Sequence, residues 1–473
     1  MSNENKAYSD RSRCITHHSC PRRRWWEYEH PTSGKVGGIQ SSRLDMNLLG
    51  GSAFHAGIQH LLTGAMSGHY DPHENPNWVE DAVRGALEGR GGWPGYWPLA
   101  KSRGLILEDN EDASYVAYEQ GAMIEALIRG YEKFCLPQLL ERYEVVEVER
   151  EDLGEFLIPE LPFTLQWGMR GDALLMERGS MDLYILSLKT AKEHGKREEA
   201  SARHDMQGLS ETATVEHRLG KWHQQLNDAK ANLSAPGPGT LGIPEWFVTR
   251  YLEGASPNIT GVKMEYAIKG KRSEYPRGSG RYTFSNPLIR PWKHSDDLPT
   301  KRGKSQHLDI PYAFMYDFQD AMGGNHRLGK GWNRINIWED IGVKEWVNIL
   351  HTNSLQGFDP GRGIASQFIL PMEYNRNEED MERWKRQVVH QEWKVRQGRA
   401  ECLNILQKNP KNFERALDEH FPMHTRSCDW PTRCQFQEIC FGPKAYLYDP
   451  MSSGIYDSRI ANHQIEEELG GEE

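Results

Sequence analysis

GMRGDALLMERGSMDLYILSLKTAK, residues 168–192, is the stretch whose reading decides the fold. Its apolar residues Leu174, Leu175, Ile185, Leu186 and Leu188 fall in two runs separated by Glu177, Arg178, Gly179 and Ser180. That pattern predicts two strands, residues 169–176 and 182–189, joined by a turn. Side chains alternate along a strand, so Ser187 and Lys189 share one face while Leu186 and Leu188 share the other. Across the hairpin Asp172 can approach Lys189. An acid beside a serine and a lysine on the neighbouring strand begins a site, and a second acid is missing from it.

Upstream, residues 144–149 (EVVEVE) and 155–158 read as further strands, which together with the hairpin make an antiparallel meander. Downstream, helices are expected over 203–217 and 221–233, then a Pro/Gly break from Ser234 and a fifth strand over 261–269. Gln207 and Glu211 lie one turn apart on the first of these helices. Nearer the N-terminus, Gly50, Gly51 and Ser52 cap a predicted helix over 53–64 with Phe54, Ile58, Leu61 and Leu62 as its apolar stripe. That helix carries His55, a side chain that either ligates a metal or packs. Residues 67–104 read as an irregular loop with a short helix over 78–87, and 115–143 as one long helix. Pro21 fits the first turn of a helix after Cys20, anchored by Trp25, Trp26 and Tyr28. Residues 270–363 show no period and read as an accessory lobe; 381–406 is a long helix, and the acidic tail after Asn462 is expected to be disordered.

The chain has 473 residues, 26% charged and 37% hydrophobic, with a formal net charge of −10. This balance fits a soluble globular protein and excludes any global argument for a polyanionic partner. Arg22 to Arg24 and Lys269 to Arg272 are the local basic stretches. No apolar run approaches the roughly 20 residues needed to span a bilayer. Residues 1–14 lack the apolar core of a signal peptide, so an intracellular, cytoplasmic protein without a membrane role is expected.

Seven cysteines, an odd number, argue against a disulfide framework. Cys428, Cys434 and Cys440 are separated by five residues each, a ligand-like spacing, and Cys20 is the best fourth member. Four thiolates suit zinc or an iron–sulfur cluster. Zinc favours closely paired cysteines, so one distant and three spaced cysteines point to iron–sulfur; the bland alternative is incidental cysteines in a packed tail. A cluster here would staple the two ends of the chain together.

Cys20-Pro21-Arg22, His55, Gly171-Asp172, the strand ending in Lys189-Thr190, Gln207 and the three C-terminal cysteines together resemble the RecB-like PD-(D/E)XK nucleases. The resemblance is closest to their iron–sulfur subgroup of CRISPR adaptation nucleases, AddB-type helicase–nucleases and phage exonucleases. It covers about residues 15–60, 115–270 and 365–442. It implies an α+β fold: a restriction-endonuclease-like core of mixed β-sheet flanked by helices, with helical N- and C-terminal additions closed by a 4Fe-4S cluster on Cys20, Cys428, Cys434 and Cys440. The domains expected are 1–143, an N-terminal helical region; 144–270, the nuclease core; 271–363, the lobe, which the resemblance does not cover; 364–445, the C-terminal helix and cysteine segment; and the tail 446–473, expected to be disordered.

By position, the resemblance makes His55 and Asp172 ligands of Mg²⁺ or Mn²⁺, Glu149 a supporting acid on the first strand, Lys189 the lysine that activates water, and Gln207 the glutamine of a Q-x₃-Y element. It implies exonuclease action on DNA, as a single strand or duplex end, in a bacterial cell or phage-infected host, with recombination or replication partners. The residue types suit phosphodiester hydrolysis, in which carboxylates hold a hard cation and a lysine stabilises developing charge.

Two positions depart from the pattern. Ser187 stands where the family has an acid, and Glu211 where it has tyrosine. Either Glu211 supplies the lost carboxylate as catalytic residue and metal ligand, or the site is dead and the protein binds DNA or forms complexes without cutting. A zinc-stapled interaction protein is the other alternative.

Overall fold

The computed structural model describes residues 6–32, 36–41, 46–68, 77–106, 111–191, 205–231, 242–268, 271–274, 282–285, 368–369, 373–374, 377–428, 433–461 and 464–469. In chain order the elements used below are β1 (Lys6–Asp10), α1 (Arg11–Ser19), α2 (Pro21–Arg24), β2 (Ile39–Ser41), α3 (Met46–Met66), α4 (Trp78–Glu88), α5 (Tyr96–Ser102), α6 (Glu111–Phe134) and α7 (Leu136–Arg142). Then follow β3 (Tyr143–Leu157), β4 (Thr164–Glu177), β5 (Leu183–Ala191), α8 (Met206–Ala231), α9 (Glu245–Leu252), β6 (Ile259–Ile268) and α10 (Glu378–Lys408).

The predicted hairpin is the centre of a mixed sheet flanked by helices, an α+β arrangement. β4 pairs antiparallel with β3 along its whole length, from Tyr143 opposite Glu177 to Leu157 opposite Thr164. Its other edge is divided. The N-terminal half, Thr164 to Gly168, takes β1 in parallel, and the C-terminal part, Ala173 to Met176, takes β5 antiparallel. Residues 169–172 pair with neither, which opens a gap in the sheet beside Asp172. β6 continues the sheet parallel to β5, from Leu183 to Ala191.

The alternation predicted for β5 holds. Leu186 and Leu188 join the core formed with α3, α4 and α6, whereas Ile185 joins the core under α8 and α10. A third core gathers Trp25, Trp26, Phe413 and Phe421 around the chain ends.

Several boundaries differ from expectation for identifiable reasons. The strands expected at 144–149 and 155–158 are one strand, β3, bent by a bulge between Val145 and Glu147. The helix expected over 115–143 breaks after Phe134, because Pro137 lacks the N–H a continuous helix needs and instead starts α7. Gly50 and Gly51 lie inside α3 rather than capping it. A β-carbon on Gly50 would collide with Gln120 of α6, and one on Gly51 would come within 3.2 Å of the Thr190 hydroxyl, so small residues let α3 approach the sheet end. The two helices expected over 203–217 and 221–233 are the single helix α8, whose Gly220 borders open space. The loop expected over 67–104 contains α5 as well as α4.

The tail is not wholly disordered as expected. Residues Tyr456–Ser458 pair antiparallel with β2, and Gln464–Leu469 form a helix whose Glu466 is fully buried between Arg13 and Arg459. The basic stretch at Arg22 to Arg24 is not a free cationic surface. Arg24 is buried and binds Glu29 and Glu392, and Arg22 is buried against Asp418. The Pro/Gly break from Ser234 and nearly all of the 271–363 lobe lie outside the described residues. Among the described residues no helix is long and apolar enough to cross a membrane.

Candidate functional site

The bulge in β3 decides which residue faces Asp172. Before it Val145 opposes Leu175; after it Val148 opposes Ala173 and Arg150 opposes Gly171, so Glu149 comes opposite Asp172. Glu149 holds its backbone in the left-handed region at φ 49°, a conformation a glutamate keeps only where its surroundings enforce it. α3, brought in close by its glycines, adds His55, whose Nδ1 lies 3.0 Å from Asp172 Oδ1. One ligand atom from each of His55, Glu149 and Asp172 falls within 4.8 Å of the others, the geometry of a small cation site. An imidazole and two carboxylates are a donor set that Mg²⁺ or Mn²⁺ accepts.

Burial, and then Asp172, push the Glu149 carboxyl up to about 7, although Arg170 Nε lies 3.0 Å from it. Burial, and then Asp172, push Glu211 up to about 8, with the Gln207 hydrogen bond working the other way. Burial opposes charge on His55, but the neighbouring Asp172 carboxylate prevails and raises it. Like charges on opposed strands repel, and buried carboxylates without a counter-charge take up protons instead.

Of the expected ligand set His55, Asp172 and Glu211, the structure brings His55 and Asp172 together. Glu149, expected only to support the site, belongs to the convergent group, and Glu211 lies outside it. Glu211 is nonetheless buried on α8, accepts from Gln207 Nε2 at 2.9 Å, and leaves its Oε2 without a partner among the described residues. Ser187 is fully buried, its hydroxyl without a partner among the described residues. The hairpin pairing ends at Leu186 opposite Ala173, and Asp172 Oδ2 accepts the Leu188 N–H at 2.7 Å, which fixes the carboxylate where β4 and β5 part.

Lys189 does not turn to Asp172. Its ammonium binds Asp205, a residue the sequence reading passed over. Asp205 also accepts the Gln207 N–H at 2.7 Å, so one side chain caps α8 and holds the lysine. An aspartate two residues ahead of Gln207, just before an apolar-periodic run, is the signal that could have found it. Arg11 was also passed over: β1 delivers it to the site, where its guanidinium donates to Gln207 Oε1.

Some distance along the chain, Cys20, Cys428, Cys434 and Cys440 line one cavity together with Arg23 and Gln437. The other three cysteines, Cys14, Cys135 and Cys402, are buried elsewhere. The His424 N–H donates to Cys20 Sγ at 3.4 Å, and Gln437 Nε2 donates to the Cys428 carbonyl at 2.7 Å. Burial pushes the Cys440 thiol up to about 12 and raises that of Cys434. Four convergent sulfurs with nearby N–H donors fit a thiolate-bound metal or cluster.

Neither the models of known protein families nor the curated proteins match this chain.

Proposed function

We propose that the chain is a metal-dependent deoxyribonuclease of the RecB-like PD-(D/E)XK type, acting as an exonuclease and stapled by an iron–sulfur cluster. The observation that carries this reading is the convergence of His55, Glu149 and Asp172, from a helix and two opposed strands, at the end of a mixed sheet. The ordering of Asp172 by the Leu188 N–H and of Lys189 by Asp205 supports it. A divalent ion bound by His55, Glu149 and Asp172 would polarise a phosphoryl oxygen and lower the pKa of water. Lys189 contributes positive charge where the attacked phosphate becomes more negative. Gln207, held between Arg11 and Glu211, orders the face of α8 beside the site. Glu211 is the buried acid on which migration of the lost carboxylate rests. Cys20, Cys428, Cys434 and Cys440 would hold the cluster, joining the N-terminal helices to the C-terminal segment.

Ser187 favours a second reading, a relative that keeps the fold and binds DNA without cutting it. Labelled single- and double-stranded DNA incubated with Mn²⁺ separates the two. Processive release of nucleotides by the wild type, lost in Asp172→Asn, is expected; retained binding without cleavage would establish the second reading. A brown protein with a visible thiolate-to-iron band is expected from the cysteines, whereas a colourless zinc-loaded protein would refute the cluster.

A further inference from the structure

A chain with a net charge of −10 needs local cations to hold a polyanion, and the cations around the sheet gap differ in one respect. Lys189 binds Asp205, and Arg170 Nε lies 3.0 Å from Glu149, so each is already matched by an acid. Arg150 and Arg218 share Glu147 and Asp152 in the same way. Arg11 is the exception. Its Nη1 donates to Gln207 Oε1, a neutral amide, and among the described residues it forms no ion pair. A neutral acceptor aims a guanidinium without cancelling its charge. Its Nε and Nη2 donate to no described residue, yet neither is a buried orphan, so both are open to solvent.

The backbone places this cation beside the site. β1 runs parallel to β4 as far as Asp10 opposite Gly168, so Arg11 leaves the sheet where residues 169–172 of β4 have no neighbour on that edge. The gap next to Asp172 is therefore bordered by Arg11 on one side and by β5 on the other. Gln207 holds the guanidinium there, because its Nε2 is committed to Glu211 Oε1 and its Oε1 is left to accept from Arg11. Arg11 makes no hydrogen bond or ion pair with His55, Glu149 or Asp172, so it stands apart from the metal group.

We propose that Arg11 binds a phosphate of the DNA strand next to the one attacked, its Nε and Nη2 taking the two non-bridging oxygens, with Gln207 as the positioning residue that aims it. The guanidinium fork matches a phosphate with two parallel hydrogen bonds, which an ammonium cannot do. This inference rests on the deoxyribonuclease reading proposed above.

The test measures binding of a fluorescein-labelled oligothymidylate single strand to the full chain at several salt concentrations, in Asp172→Asn protein so that the strand is not consumed. Loss of one phosphate contact lowers the steepness of log affinity against log salt by about 0.7 for a single strand. Arg11→Gln should show that decrease together with an affinity about tenfold weaker. Arg11→Lys, which keeps the charge and guards against a fold defect, should retain the slope and still lose affinity. With Asp172 intact and Mn²⁺ present, Arg11→Gln should raise KM with kcat retained, the pattern of a contact equal in ground and transition states. An unchanged salt slope in Arg11→Gln, an affinity unchanged in Arg11→Lys, or a lower kcat at constant KM would overturn the role of Arg11 and leave the nuclease reading standing. No binding of the strand by protein with Arg11 intact would overturn both.

Discussion

Asp172 Oδ1 lies 3.0 Å from His55 Nδ1 while its Oδ2 accepts the Leu188 N–H at 2.7 Å, so one carboxylate is aimed by a helix and a strand at once. With Glu149 opposite it, Asp172 is the common member of the convergent group. Loss of groups that merely orient a ligand costs about 10–100-fold in metal affinity. Replacement of Asp172 by Asn should therefore cost at least about 100-fold in Mn²⁺ affinity on the same scale. Glu149→Gln should weaken binding by about tenfold or more, and Glu211→Gln by less than Glu149→Gln, because Glu211 stands outside the group. Calorimetric titration with Mn²⁺ checks the order; a larger loss in Glu211→Gln would restore Glu211 as the ligand.

Glu211 also predicts how the metal-free protein responds to pH. Its carboxyl is raised from an ordinary 4.5 to about 8, by burial and then by Asp172. The folded state therefore binds a proton that the unfolded chain releases, and stability falls as pH rises through that interval. The contribution is fully present below about 4.5 and lost once pH passes about 8. In melts without divalent ions, the wild type should lose stability relative to Glu211→Gln across this window. Added Mn²⁺ should stabilise the wild type most at the alkaline end, where the carboxylates no longer hold protons. Parallel melting curves for the two proteins would show that Glu211 does not titrate in this way.

The hairpin and the helix bearing His55 were legible because each repeats a period that water enforces, alternation in β5 and an apolar stripe in α3. The cysteines were legible from spacing. What stayed hidden depends on contacts between distant residues or on single inserted ones. β1, with the sequence KAYSD, has no apolar alternation of its own and is a strand only because β4 offers an edge. The role of Glu149 depends on one extra residue in β3, since without the bulge a different side chain would oppose Asp172. Asp205 looked like an ordinary charged residue until the fold brought Lys189 to it.

Asp205 can be dissected because its two oxygens do different work. Oδ1 caps α8 through the Gln207 N–H, and Oδ2 binds the Lys189 ammonium. Asp205→Ser keeps a capping hydroxyl and removes the lysine's partner, whereas Asp205→Ala removes both. Melting should show a loss of about 1 kcal/mol that is specific to the alanine variant. Cleavage should fall in both by a similar factor, about 10–100-fold, if the orientation of Lys189 sets the rate. Full activity in Asp205→Ser would mean that the ion pair is dispensable and the cap is what matters.

Glu466 makes the strongest case for order in the C-terminal segment. Its carboxylate is fully buried, 2.9 Å from Arg13 Nη2, 453 residues earlier in the chain, and it also accepts from Arg459 Nη1 at 3.2 Å. The Arg13 and Arg459 guanidinium groups lie over the Tyr28 ring, 5.2 and 4.6 Å from its centroid, so both cations are enclosed by aromatic surface. The helix that carries Glu466 starts on β3, where the Gln464 and Ile465 N–H groups donate to the Glu151 carboxylate at 3.4 and 3.3 Å. Removing the carboxylate takes the shared acid from both guanidinium groups, although Arg13 keeps Asp10 at 3.6 Å, and breaking a buried pair costs up to about 3–5 kcal/mol. Glu466→Ala should lower stability by up to that amount in urea titrations, and Glu466→Gln by less, because the amide oxygen still accepts. Arg11 and Arg13 share α1, so hydrogen exchange should quicken in α1 and β1 of Glu466→Ala, with α3 unaffected. Exchange unchanged in α1 would show that the tail helix rests on the protein without holding its N-terminal strand in the sheet.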